Sequence, residues 1–130
     1  MHRTWFLIVT AVVETGAGLA LLLVPSISLT TLLGISPAEP AALVIARVGG
    51  AALLSIGITS FLARRDNHGP AQLGVLIGLL FYNVAAASLL TYAGAVLKMV
   101  GLVLWPGVAL HAALAVWCVM NFRGKPQEIG

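Results

Sequence analysis

The sequence predicts an all-α fold, an antiparallel bundle of four transmembrane helices with a short interfacial helix or loop after the first. Three observations lead there. Of the 130 residues, 60% are hydrophobic and only 8% charged, against roughly a quarter charged in soluble domains. Apolar stretches at about 5–24, 41–63, 71–92 and 96–122 each suffice to cross a hydrocarbon core, which needs about 20 helical residues. They occupy nearly the whole chain, so residues 1–130 read as one integral membrane domain with no stretch left over for a soluble one.

The third observation is the placement of charge. Arg3, Arg64, Arg65, Arg123 and Lys125 flank one set of segment ends and Lys98 alone flanks the other. By the positive-inside rule this predicts a multi-pass protein of the cell inner (cytoplasmic) membrane with both termini cytoplasmic. The net charge of +3 is scattered over those ends, so it forms no basic stripe of the kind nucleic acid requires, and no nucleic-acid partner is expected. The lone Cys118 lies inside the fourth stretch, where it reads as a small core residue.

Segment one starts at Trp5, an aromatic suited to the headgroup level, and stops at Val24-Pro25, where proline cannot continue a helix. Glu14 at its centre, and no small-x-small cleavage site, mark it as a span and not a cleaved leader. Thr10, Glu14, Ala17, Gly18 and Leu21 share one face, which is expected to look into the bundle.

From Pro25 to Pro40 the chain is too polar to span. Ile27, Leu29, Leu32, Leu33 and Ile35 suit a short interfacial helix ended by Gly34, or an ordinary loop. Segment two carries Arg47 on one face with Gly50, Ala51 and Leu54, so its arginine is expected to point at a closely packed neighbour. A tight polar loop, Arg64 to Pro70, follows, with His68 solvated in it.

Segment three contains Gly74-x-x-x-Gly78, a spacing that lets two helices touch backbone to backbone, and then Tyr82 and Asn83 near mid-depth. After a very short turn around Ala93 and Gly94, segment four is expected to run from Val96, with Lys98 snorkelling outwards. Trp105-Pro106-Gly107 within it predicts a kink that frees a carbonyl near Leu102, with His111 one turn further on.

Depth decides whether the polar residues meet. At ~1.5 Å per residue, Glu14 lies about 13 Å from one end of its helix, Arg47 about 9 Å below the outer end of its own, and Asn83 and His111 about 12 and 20 Å from the outer surface. All fit one band about 11 Å deep. A charge at a helix centre costs roughly 2.5 to 3.5 kcal/mol, which pairing offsets. The expectation is an ionised Glu14 bonded to Arg47 in an intramembrane salt bridge, with Tyr82 and Asn83 satisfying the remaining lone pairs. Of Tyr82 and Asn83, about 100° apart on the helix, only one can face the centre squarely.

Pro25 closing the first span, Leu32-Leu33-Gly34 in the outer loop and Arg47-x-Gly49-Gly50 in the second span make the chain resemble small bacterial DoxX-like membrane proteins. That resemblance implies a four-span bundle with links to redox and quinone-associated systems. Length, span count and the glutamate of Ala11-Val12-Val13-Glu14 are also similar to the small multidrug resistance transporters. That second resemblance implies proton exchange against a cationic substrate at Glu14. The arginine of segment two and the third helix depart from that family's pattern.

These readings converge on a small membrane protein, a ligand-binding or accessory subunit, in which Glu14, Arg47, Tyr82, Asn83 and His111 form a ligand-binding set. The expected occupant is a lipophilic small molecule, a quinone or an anion, with the lipid bilayer as the other partner. Glycine-bearing faces make a homo-oligomer plausible. Three alternatives stand beside it: a proton-coupled transporter using Glu14, a purely structural or partner-binding bundle, and an enzyme with His111 and Glu14 as acid and base. No metal-ligand constellation or activated nucleophile is visible, the cofactor is unknown, and an enzyme is the less favoured reading.

Overall fold

Prolines punctuate the chain. Pro25, Pro40 and Pro70 each stand at the start of a helix, where the missing N–H costs nothing and the fixed φ favours the first turn. In the computed structural model, which describes residues 2–36, 39–66 and 69–122, the elements are α1 (His2–Leu23), α2 (Pro25–Leu33), α3 (Pro40–Ala63), α4 (Pro70–Ala95) and α5 (Leu104–Phe122). His68, Arg123 and Lys125 lie outside the described residues. Four of the helices, all but α2, are long and apolar enough to cross a membrane. Their outward side chains, such as Val12, Ile45 and Phe81, are large, apolar and more than two-thirds exposed, a surface that lipid covers and water would not. The chain is a small multi-pass membrane protein.

The bundle is built from two antiparallel pairs. In the α1–α3 pair, glycines bring backbones into contact. A Cβ on Gly18 would stand 2.7 Å from both the Gly50 carbonyl oxygen and the Leu54 nitrogen, and one on Gly50 would stand 2.7 Å from the Gly18 oxygen. Gly57 approaches Thr15 and Ala11 in the same way. The face of segment two that carries Gly50 and Leu54 therefore packs on α1. The Gly74-x-x-x-Gly78 spacing does not serve this purpose within the chain, because a Cβ at either position meets nothing within 4 Å.

The α4–α5 pair joins α1 through a core of Phe6, Leu7, Leu76, Leu79, Leu114 and Cys118, with the Phe6 and Trp117 rings edge to face at 5.5 Å. This core lies towards the loop that joins α3 to α4. The same end is pinned by polar contacts. Arg3 donates through Nε and Nη2 to the Asn121 carbonyl at 3.0 and 2.8 Å, which suits a cation at a helix C-terminus. Asp66 Oδ2 accepts the Gln72 N–H at 2.9 Å, capping the first turn of α4, while Gln72 Nε2 donates to the Ala63 carbonyl.

At the opposite end the apolar run 96–122 is not one helix. Lys98 adopts a left-handed conformation with φ 58°, and its Nζ donates to the Ala95 carbonyl at 2.7 Å. It caps α4 and does not reach outwards from α5. The turn therefore lies beyond Ala95 and not at Ala93 and Gly94, and α5 begins only at Leu104. Pro106 consequently falls in the first turn of α5, where it breaks no ladder bond; the expected mid-helix kink and freed Leu102 carbonyl do not arise. The segment between α4 and α5 folds back over α2. The Val103 N–H donates to the Thr31 carbonyl at 3.1 Å, and Gly101 packs directly against the Leu32 backbone. Gly34, at φ 73°, ends α2 in the left-handed cap anticipated for it.

Candidate functional site

Successive helical residues point about 100° apart, and α4 uses that angle to serve two partners. Tyr82 turns towards α1, where its hydroxyl donates to Glu14 Oε2 at 3.0 Å. Asn83 turns towards α5, where Oδ1 meets His111 Nδ1 at 2.9 Å. The two contacts are joined by the rings of Tyr82 and His111, edge to face at 5.4 Å and 89°. Glu14, Tyr82, Asn83 and His111 thus form one connected polar group at mid-depth.

Chemistry fixes the roles within it. Asn83 Nδ2 donates to the Leu79 carbonyl at 2.8 Å; a backbone carbonyl only accepts, so the amide oxygen must be the atom that faces His111. His111 Nδ1 therefore carries the proton, and in the neutral ring Nε2 is an acceptor. Glu14 is 1% exposed. Its second oxygen, Oε1, is buried with no hydrogen-bond partner among the described residues. The capacity that the group leaves unmatched is thus acceptor-rich.

Arg47 is not part of this group. Its Nε donates to the Leu22 carbonyl at 3.3 Å, and it stands exposed at the surface of α3. No salt bridge joins Glu14 to Arg47, and the expected pairing is corrected by helix register. Gly18 packs between Gly50 and Leu54, and Gly57 meets Thr15, so Glu14 looks across at the stretch around Leu54 to Gly57. Arg47 lies seven residues before Leu54, about 10 Å further along the helix. It serves the C-terminal turn of α1, where Pro25 interrupts the backbone ladder and a cation suits the negative end of the helix dipole. Asn83 likewise bonds His111 and not Glu14.

A cleft of about 570 Å³ opens between the two helix pairs. Glu14, Tyr82 and His111 are its polar wall, and all its other lining residues are apolar. It extends from the polar group towards α2, past Leu21 and Leu89 to Leu32 and Val103. Such a volume falls within the roughly 300–1,000 Å³ of small-molecule sites. Leu32 and Val103 were hidden from sequence reading, because their role depends on the 96–103 segment folding over α2. Among the described residues, no three His, Cys, Asp or Glu side chains come together as metal ligands. Compared with known protein families, curated proteins and solved structures, the chain matches none of them.

Proposed function

We propose that the protein is an inner-membrane binding protein whose cleft holds a lipophilic small molecule with a hydrogen-bond-donating head, an ammonium or a hydroxyl, against Glu14. The distribution of Lys and Arg along the sequence supports a cytoplasmic side for both termini. The observation that carries the reading is Glu14 Oε1, a buried carboxyl oxygen without a partner among the described residues, on a residue that with Tyr82 and His111 forms the polar wall of a cleft whose other lining is apolar. Leaving such an atom unmatched costs about 1 to 3 kcal/mol, more for a charged group. A donor supplied by a ligand recovers that cost and adds a charge-assisted bond.

Arg47 lies outside the group, so an anionic head would meet no fixed cation there. His111 Nε2 and Glu14 Oε1 both accept, which favours an alkylammonium or the two hydroxyls of a quinol over a quinone, whose carbonyls only accept. Binding in lipid nanodiscs tests this with four probes: dodecylamine, dodecanoate, a decyl-substituted benzoquinol and the matching quinone. The amine or the quinol is expected to bind, and Glu14→Gln to weaken it at least about tenfold, equivalent to about 1.4 kcal/mol. Tight binding of dodecanoate or of the quinone alone would reject a donor-headed ligand. Equal binding by Glu14→Gln would reject Glu14 as its anchor.

A further inference from the structure

The cleft beside Glu14 is closed towards both ends of the bundle. Towards the loop that joins α3 to α4 it stops at the core of Phe6, Leu76 and Leu114. Towards the other end α2 lies across it. Leu32 of α2 lines the cleft, and its Cδ1 would stand 3.9 Å from a Cβ on Gly107 of α5. The 96–103 segment is tied down over α2 by the bond from the Val103 N–H to the Thr31 carbonyl and by the packing of Gly101 on the Leu32 backbone. Packed side chains and backbone thus stand between the cleft and the water at either end.

Its sides are different. Leu21 and Leu89 lie two turns beyond the bonded pair Glu14 and Tyr82 on their respective helices, so they flank the cleft at one level. Leu89 lines the cleft and is nevertheless 68% exposed, and α3 contributes only Leu53 to the wall beside it. On α1, Glu14 lies in angle between Gly18, which packs on α3, and Ala17, which is turned to the α5 side. Ala17 also lines the cleft and is exposed, as are Pro106 and Leu110 on α5. Ala17 has a single methyl group to present, so its exposure is that of the cleft itself. Both mouths lie between membrane-spanning helices, where the surroundings are hydrocarbon.

We propose that the occupant of the cleft is a long-chain, lipid-like amine or alcohol that enters sideways from the bilayer, sets its head on Glu14 and leaves the end of its chain in the surrounding lipid. The inference rests on the donor-headed reading of the site and adds the source and chain class of the ligand. Glu14 and Leu21 are about 10 Å apart along α1, and an extended chain advances about 1.25 Å per carbon, so about eight carbons reach the level of Leu89. A longer chain passes out between the helices without having to fit. The head must leave the membrane surface for mid-depth, which suits one hydroxyl or one ammonium matched by a carboxyl. A phosphate-bearing head would find no cation among the lining residues.

The openings are tested without a ligand. The unaltered protein, with carbon-13 methyl groups, is placed in nanodiscs that contain a phosphatidylcholine spin-labelled at carbon 16 of one chain. Paramagnetic broadening of the Ala17 and Leu21 methyl signals is expected to approach that of Val12 on the lipid face, whereas Leu7, which is fully buried, is spared. Ala17 and Leu21 spared to the same degree as Leu7, or broadened instead by a water-soluble gadolinium chelate, would overturn the proposal.

Chain length is the second reading. Whichever of dodecylamine and the decyl-substituted benzoquinol binds is compared with its octadecyl homologue, with concentrations expressed in the membrane phase. The two dissociation constants are expected to agree within about threefold. A loss of more than about tenfold for the octadecyl chain would mean an enclosed pocket and overturn this inference alone. Binding of neither head at any chain length would overturn the donor-headed reading, and this inference with it, even where the methyl signals show an open cleft.

Discussion

Tyr82 donates its hydroxyl hydrogen to Glu14 at 3.0 Å, and in doing so α4 meets α1 across the divide between the two helix pairs. The contact is also the polar end of the cleft between the helix pairs. Removing it should therefore be felt twice, in stability and in the chemistry offered to a ligand.

Tyr82→Phe keeps the ring against His111 and leaves both oxygens of Glu14 unpartnered. The expected loss is about 1 to 3 kcal/mol, read from unfolding in mixed micelles. A double-mutant cycle with Glu14→Gln should return a coupling of at least about 0.5 kcal/mol, as for groups in one hydrogen-bond network. Additive single effects would show that the hydroxyl does not bond the carboxyl.

Arg47→Ala should act on the end of α1 and not on Glu14. Losing one bond from a charged donor to the Leu22 carbonyl is worth about 1.5 to 3 kcal/mol, below the ~3 to 5 kcal/mol that follows breaking a buried ion pair. Its cycle with Glu14→Gln should show no coupling beyond about 0.5 kcal/mol.

Much of this could be read in the chain, and what could not has a common cause. Span number, the Gly34 stop and the common level of Glu14, Asn83 and His111 follow from hydropathy and from a fixed rise per residue, although the same rise also puts Arg47 in that band, where it does not lie. Lateral register does not. Arg47 sits on the face of α3 that packs on α1, as its pattern with Gly50 and Leu54 implies, yet only the sliding of α3 along α1 decides that it meets Leu22 and not Glu14. The Gly74 and Gly78 spacing likewise says that a helix is able to approach closely without saying that one does. Pro106 reads as a kink from sequence because residues 96–103 are apolar apart from Lys98, a side chain long enough to snorkel from a continuous span. Once α5 starts at Leu104, the same proline is an ordinary first-turn residue.

Glycine substitutions separate used from unused positions. Gly18→Ala puts a Cβ 2.7 Å from backbone atoms of α3 and should cost about 1 to 3 kcal/mol, the usual penalty of overpacking. Gly74→Ala meets nothing within 4 Å and should be neutral or stabilising by up to about 1 kcal/mol. Thermal unfolding in detergent ranks the two.

Asn83 sets the tautomer of His111. Nitrogen-15 NMR of the unaltered protein should show a protonated Nδ1 and a bare Nε2 in the neutral ring. Asn83→Leu removes the acceptor and should let the other tautomer appear. A protonated Nε2 before substitution would remove the second acceptor from the cleft.

The most direct measurement of the central claim is an experimental structure in lipid with dodecylamine added at saturating concentration. The alkyl chain is expected to lie between Leu21 and Leu89 towards Leu32, with its nitrogen within hydrogen-bonding distance of Glu14 Oε1. An amine bound elsewhere, or a Glu14 carboxylate closed onto Arg47 with no room beside it, would contradict it.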